Sequence, residues 1–145
     1  MFPQAPGPAV YPASKLRHGK MLKDVLNRAN IQCAAHWPEL VGKISDSTLN
    51  APVFWRRNMM DVANCDMVLL YAEEGDKLRG ALVEAGAAFM ATKPVIVVGD
   101  HQDYGTWKYY PGVLQATDLN HAIWIVKTMS GIPYNYSDMG HPNAH

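Results

Sequence analysis

The sequence of 145 residues has no long apolar run and no excess of charge of either sign. No stretch approaches the roughly 20 apolar residues that cross a bilayer, and residues 1–10 lack the regions of a signal peptide. We therefore expect a cytoplasmic protein without a membrane partner. Thirteen Lys and Arg balance thirteen Asp and Glu, so the basic field that a nucleic-acid binder needs is absent.

Cysteine is also scarce, because Cys33 and Cys65 are the only two and no CxxC occurs. The six histidines form no HExxH pattern, and none stands four residues from another on a predicted helix. These absences argue against a disulfide framework and against the common zinc sites. We expect buried free thiols and no bound metal.

The order of apolar segments indicates one domain between two irregular ends. Prolines and glycines fill residues 1–8 and 131–145, which we interpret as an N-terminal arm and a C-terminal tail. Between them, over 9–130, short apolar runs alternate with stretches of helical periodicity. This alternation predicts a three-layer α/β domain with a parallel sheet of four or five strands flanked by helices.

The individual elements follow from apolar runs, periodicity and turn residues. The predicted strands cover 9–13, 31–36, 67–71, 95–99 and 113–116. The predicted helices cover 18–30, a segment opened by Pro52, 80–92, and a segment capped by Asp118 and closed by Gly131. The periodicity predicts that the second helix buries Trp55, Met59, Val62 and Ala63, and that the third buries Leu82, Ala85, Phe89 and Met90.

A ligand of such a sheet binds beyond the carboxyl ends of its strands, where the strand order reverses. Glu84 lies there, in the first turns of the helix over 80–92. Free N–H groups and the helix dipole favour an anion at that place, and Gly80 leaves no side chain over the carboxylate. A glutamate near a helix start is also ordinary helix chemistry, so spacing alone leaves its role open.

The segment from Asp66 to Gly99 carries a family resemblance. A first-strand tyrosine, Asp66 before the third strand, and a Gly-x-x-x-Glu-x-Gly-x-Ala helix leading through Lys93-Pro94 into a strand resemble nucleoside 2-deoxyribosyltransferases. The related deoxynucleoside 5′-monophosphate N-glycosidases share this pattern. The resemblance covers about residues 9 to 127. It implies a flavodoxin- or Rossmann-like sheet, no cofactor, a small-molecule nucleoside or nucleotide as partner, and a homodimer or higher assembly.

The resemblance also implies roles for individual residues. It places Glu84 as the nucleophile that attacks the anomeric carbon, Tyr11 as its hydrogen-bond partner, and Asp66 among the substrate-binding residues. The acidic residue that the family carries eight positions before Asp66 is Asn58 here, and an amide cannot act as a general acid. Asp61, one helical turn later, is a candidate substitute, although a solvated helix aspartate is the simpler interpretation.

Substrate contacts are expected from residues at the same edge of the sheet. Hydroxyl or cationic side chains that flank the predicted 5′-phosphate position are Ser14, Lys15, Arg17, Lys77 and Arg79. Trp37 and Trp107 lie in loops where they could stack on a base, whereas Trp55 and Trp124 fall on helix faces and are assigned to the core.

Three functions remain open from the sequence. The first is cleavage or exchange of the N-glycosidic bond of a (deoxy)nucleoside or its 5′-monophosphate. The second is a nucleotide-binding module that has lost catalysis, which the exchange of an acid for Asn58 favours. The third is a nucleosidase of NAD or a nucleotide signal, similar to enzymes of the Toll/interleukin receptor type.

Overall fold

A computed structural model describes residues 7–40 and 47–130 of the chain. The strands are β1 (Ala9–Ala13), β2 (Gln32–Cys33), β3 (Met67–Tyr71), β4 (Val95–Val98) and β5 (Val113–Ala116), and the helices are α1 (Gly19–Arg28), α2 (Ser47–Asn64), α3 (Gly80–Met90) and α4 (Leu119–Met129). Short 3-10 segments occupy Leu16–His18, Trp37–Leu40 and Gln102–Tyr109. Most of the predicted N-terminal arm, the C-terminal tail and the predicted stop at Gly131 lie outside the described residues.

The five strands form one parallel sheet in the order β2-β1-β3-β4-β5. Parallel strands joined by helices are covered on both faces, and the strands are accordingly apolar nearly throughout. The predicted three-layer α/β fold is confirmed. The strand order reverses between β1 and β3, so the carboxyl ends of these two strands border the crevice where such sheets bind ligands.

Two apolar clusters hold the layers together. On one face of the sheet, Tyr11 and Leu70 pack with Val62 of α2 and Ala85 of α3. The other cluster joins the opposite face of the sheet to α1 and α4, through Val10, Leu69, Ile96, Leu22, Leu26, Ile123 and Val126. The helices α2 and α3 therefore cover the face that leads to the crevice.

Strand β2 has two residues, where the sequence predicted a strand over 31–36. The ladder from β2 to β1 ends with the N–H of Ala34 donating to the carbonyl of Val10. The next residue of β1 that faces β2 is Pro12, which has no N–H to continue the ladder. The indole N–H of Trp37 instead donates to the Pro12 carbonyl at 3.0 Å.

The buried faces of α2 and α3 differ from the predicted stripes. In α2 the buried positions include Asn58 and Asp61 beside Val62, while Ala63 is exposed. In α3 the helix turns small residues such as Ala85 to the sheet, and Met90 is 88% exposed. The apolar periodicity did not predict these faces because Asn58, Asp61 and Glu84, which are polar, are themselves buried on them.

Among the described residues, no helix is long and apolar enough to span a membrane.

Candidate active site

A cleft of about 640 Å³ opens at the carboxyl ends of β1 and β3. This volume lies within the range of small-molecule sites. Its walls come from the segment after β1, from α2, and from the start of α3. The lining residues are Ser14, Lys15, Leu16, Trp37, Ala51, Phe54, Trp55, Asn58, Leu78, Arg79, Gly80, Ala81 and Glu84.

Glu84 lies in the second turn of α3 and is 5% exposed. The hydroxyl of Tyr11, which is fully buried on β1, donates a hydrogen bond to its carboxyl oxygen Oε2. The two residues are 73 positions apart in the chain. They meet because α3 packs over β1 and β3, so that the sheet supplies the partner for the helix. The structure thus brings together the two residues to which the resemblance gave the chemistry.

Burial controls the protonation of Glu84. Loss of hydration raises the pKa of Glu84 to about 8. The sequence predicted stabilisation of the anion by the helix start, and the structure reverses that expectation. Glu84 is the fifth residue of α3, and the helix dipole acts mainly within the first turn. Desolvation therefore outweighs the dipole here.

Aromatic side chains form much of the cleft wall. Trp37 and Trp55 both line it. A Cβ built on Gly80 would lie 3.0 Å from the Trp55 ring, so glycine at this position lets the ring lie against the start of α3. Trp55, which the sequence assigned to the core, is half-buried and faces the cleft. Trp107 does not line it; its ring packs edge-on against Phe89 and Tyr104.

The five predicted phosphate contacts separate into two groups. Ser14, Lys15 and Arg79 line the cleft. Lys77 is exposed and does not line it. The guanidinium of Arg17 lies 2.6 Å from the carboxylate of Asp76 and 3.7 Å from Glu73, outside the lining residues. Arg17 therefore supports the loop after β3, because its charge is paired there.

Asp76 joins the segments that follow β1 and β3, and the sequence gave no sign of this. Its buried carboxylate accepts hydrogen bonds from Arg17, from Nε2 of His18 at 2.9 Å and from the backbone N–H of Glu73 at 2.9 Å. Burial opposes its ionisation, yet these bonds outweigh burial and hold the pKa of Asp76 well below its usual range. Arg17 and His18 lie 59 and 58 positions before Asp76, so no local pattern of residues reveals these partners.

The two polar side chains of α2 have different surroundings. Asn58 is 2% exposed, lines the cleft, and its Oδ1 has no hydrogen-bond partner among the described residues. Asp61 does not line the cleft. Its carboxylate accepts the backbone N–H of His36 at 3.0 Å and faces Nδ1 of the same residue at 2.9 Å. Asp61 thus holds the segment after β2, because both of its oxygens are directed to His36.

Asp66 lies at the opposite edge of the sheet from the cleft. Its carboxylate accepts the backbone N–H of Ala9, the first residue of β1, at 2.8 Å. A residue that precedes a parallel strand lies at the amino ends, and the cleft is at the carboxyl ends. The structure therefore gives Asp66 a role in fixing the start of β1, away from the substrate position that the resemblance suggested.

Sequence reasoning did not place Phe54 and Trp55 in the cleft wall, although their spacing from Asn58 could have done so. Phe54 and Trp55 precede Asn58 by four and three positions, which places all three on one face of α2.

No group of three His, Cys, Asp or Glu residues suited to a metal occurs in the described part of the chain. Burial raises the pKa of the Cys65 thiol to about 11, which leaves it unreactive at neutral pH.

A comparison with known proteins identifies a similar fold in a nucleotide-processing enzyme. No protein-family model matches the chain, and no curated protein matches its sequence. The structure of the CMP N-glycosidase BcmB from Clostridium botulinum is similar, with a TM-score of 0.53 over 83% of this chain and 98% of that chain, at 10% identity. The likeness that the sequence suggested is therefore confirmed at the level of the fold: the chain shares the architecture of this CMP N-glycosidase.

Proposed function

We propose that the protein cleaves or exchanges the N-glycosidic bond of a (deoxy)nucleoside or its 5′-monophosphate, with Glu84 as the nucleophile. The observation that carries this proposal is the buried pair formed by Tyr11 and Glu84, whose carboxyl group lines a cleft of about 640 Å³. A fold shared with a CMP N-glycosidase supports it. The cleft also provides aromatic walls for a base and two cations, Lys15 and Arg79, for a phosphate.

The reaction follows from these positions. An oxygen of ionised Glu84 attacks C1′ while the C1′–N bond breaks. The electron pair of that bond leaves with the base, which takes a proton from water and so generates a hydroxide ion. The Tyr11 hydroxyl holds the attacking carboxylate in place. Water then attacks C1′ and gives up a proton to that hydroxide ion, which restores the carboxylate and releases the sugar. A second base that attacks in place of water, and loses its N–H proton in the same way, gives transfer. No protein-derived acid is needed in this sequence of steps.

The experiment is incubation of the protein with nucleosides, nucleoside 5′-monophosphates and NAD, followed by chromatography for free base. We expect base release from a nucleoside or monophosphate, reduced about a thousandfold or more in Glu84→Gln because the nucleophile is lost. The exposed Glu74 provides the control, and Glu74→Gln should retain full turnover. Equal rates in Glu84→Gln and the unmodified protein would remove Glu84 from the mechanism.

The pH dependence of base release gives a second readout. Because burial raises the pKa of Glu84 to about 8, the ionised nucleophile becomes more abundant up to that pH. We expect turnover to rise with pH through neutrality and to level off above about pH 8. A rate that falls over this interval would instead indicate that the protonated carboxyl is the active form.

A second candidate function is nucleotide binding without catalysis. Among the described residues that line the cleft, Glu84 is the only carboxyl group, and Asn58 stands at the position where relatives are expected to carry an acid. A protein of this kind binds a nucleotide in calorimetry and releases no base. The same incubation therefore separates the two functions.

A further inference from the structure

The side-chain oxygen of Asn58 has no hydrogen-bond partner among the described residues, although it lies beside two aromatic residues of the cleft wall. Asn58 is 2% exposed, and its Oδ1 accepts no hydrogen bond from any described residue. A buried amide in this state weakens the free protein, since the hydrogen bonds that water gave it in the unfolded chain are not replaced. Its oxygen is therefore available to accept a hydrogen bond from a molecule bound in the cleft.

The neighbours of Asn58 indicate which part of a ligand would meet it. Phe54 and Trp55 line the cleft from the same face of α2. The cationic Lys15 and Arg79 belong to other wall segments, after β1 and at the start of α3. Flat apolar walls around one amide suit the ring and polar edge of a nucleobase, whereas cations suit a phosphate.

We infer that Asn58 recognises the edge of a nucleobase, with Oδ1 accepting an N–H from the base and Nδ2 donating to an adjacent ring nitrogen. This inference rests on the proposed function. A planar amide offers one acceptor and one donor side by side, and the same bidentate pairing lets Asn recognise adenine in DNA. Amino-bearing bases such as cytosine and adenine present this pair of groups, and their analogues without the amino group do not. Asn58 is thus a specificity residue, in a position where an acid would serve catalysis.

The test compares ligands that differ only in the amino group, in the Glu84→Gln background so that no ligand is consumed. The first pair is dCMP and the monophosphate of 2-pyrimidinone deoxyriboside, and the second is dAMP and purine deoxyriboside monophosphate. With Asn58 present, calorimetry should show that the amino group strengthens binding of the preferred base about 10- to 100-fold. In Asn58→Leu this preference should fall to about twofold or less.

Each other outcome has a defined meaning. If the amino group has the same effect with and without Asn58, the inference is overturned while the nucleotide site stands. If none of the four nucleotides binds while another nucleoside or monophosphate binds or releases its base, the inference is overturned and the proposed function stands. If no nucleoside or monophosphate binds or releases its base, the proposed function fails. The exposed Asn64, at the end of the same helix, provides the control. Asn64→Leu should leave all four affinities unchanged.

A measurement on the free protein distinguishes recognition from a structural role. Because the amide of Asn58 lacks a partner for its oxygen, Asn58→Leu should have an unchanged or higher melting temperature. A structural asparagine would lose hydrogen bonds on this substitution. A fall of several degrees in the melting temperature would therefore overturn the inference.

Discussion

At the scale of single residues, the buried carboxyl of Glu84 sets a pH dependence of stability. The unfolded chain releases this proton near pH 4.5, whereas the folded protein retains it to about pH 8. The folded state binds more protons between these values, so the free energy of unfolding falls as pH rises through them. We expect urea titrations to show a loss of several kcal/mol over this interval.

Glu84→Gln should remove this dependence, since glutamine fills the same space and does not titrate. At pH 8 the variant should be more stable than the unmodified protein, while at pH 4 the two should be similar. The exposed Glu74 again provides the control, because Glu74→Gln should leave the slope unchanged. Parallel curves for Glu84→Gln and the unmodified protein would show that Glu84 titrates normally.

At the scale of elements, the C-terminal ends of α1 and α3 differ in how well the residue with positive φ tolerates that conformation. Both α1 and α3 end in a Schellman motif, with the N–H of Ile31 bonded to Leu26 and that of Lys93 bonded to Ala88. The left-handed residue is Asn30 in α1, with φ 60°, and Thr92 in α3, with φ 58°. Asparagine tolerates this conformation, whereas a β-branched residue is strained in it.

We therefore predict that Thr92→Gly raises the free energy of unfolding by about 1 kcal/mol, because glycine adopts positive φ without strain. Asn30→Gly should change it by a few tenths of a kcal/mol at most. Chemical denaturation of both variants measures the difference. A gain at Asn30 equal to that at Thr92 would contradict the strain at threonine.

The start of α1 packs so closely against Trp37 that only glycine fits at position 19. A Cβ built on Gly19 would lie 2.6 Å from Cζ3 of the Trp37 ring and 3.2 Å from the Cα of Pro38. We expect Gly19→Ala to destabilise the protein by about 1–3 kcal/mol, because this packing leaves no space for a methyl group.

At Gly86 within α3, no neighbouring atom lies within 4 Å of the place that a methyl group would take. Gly86→Ala, measured in the same way, should instead stabilise the helix by up to about 1 kcal/mol.

The elements also show what local sequence determines. Strands β1, β3 and β5 were predicted at the residues where they occur, since each is a short apolar run between breakers. Strand β2 was predicted too long because its end is set by Pro12 in a neighbouring strand. Periodicity missed Asn58 and Asp61 on the buried face of α2, because it counts hydrophobic residues only.

In the candidate site, too, local sequence predicts some features, whereas contacts between residues far apart in the chain are beyond its reach. The pairing of Glu84 with Tyr11 was expected from a family resemblance, and residue spacing alone left it open. The partner of Arg17 lies 59 residues away, so no local pattern could predict that its charge is taken. The place of Asp66 was within reach of the sequence, since a residue before a parallel strand lies at the edge opposite the ligand.

At the scale of the whole molecule, two buried carboxyls act on stability in opposite directions. Hydrogen bonds hold the pKa of Asp76 below its ordinary value of 3.8, so the folded state binds this proton less tightly than the unfolded chain. Its contribution is present above that pH and is lost as pH falls further. Glu84 lowers stability above about pH 4.5. Together they predict a maximum of stability between about pH 4 and pH 5.

Asp76→Asn tests the acidic side of this profile. The neutral amide loses its charge-assisted bonds to Arg17 and His18, which should lower the free energy of unfolding at pH 7 by about 3 kcal/mol. The difference between the variant and the unmodified protein should shrink progressively as pH falls below about 3.8, because the unfolded chain then takes up the proton more readily than the folded protein. Denaturation at a series of pH values checks both expectations, and an unchanged acid limb in Asp76→Asn would assign that limb to other carboxyls.

The bonds of Asp76 also have a consequence for motion. The backbone N–H of Glu73 lies in a loop, but it donates to a buried carboxylate that is anchored to the segment after β1. Its exchange with deuterium requires the backbone of Glu73 to leave a carboxylate that Arg17 and His18 hold in place, an opening rarer than ordinary loop fluctuation. The segments after β1 and β3 are expected to move as one body, with the Glu73 amide exchanging more slowly than the other exposed amides of its loop.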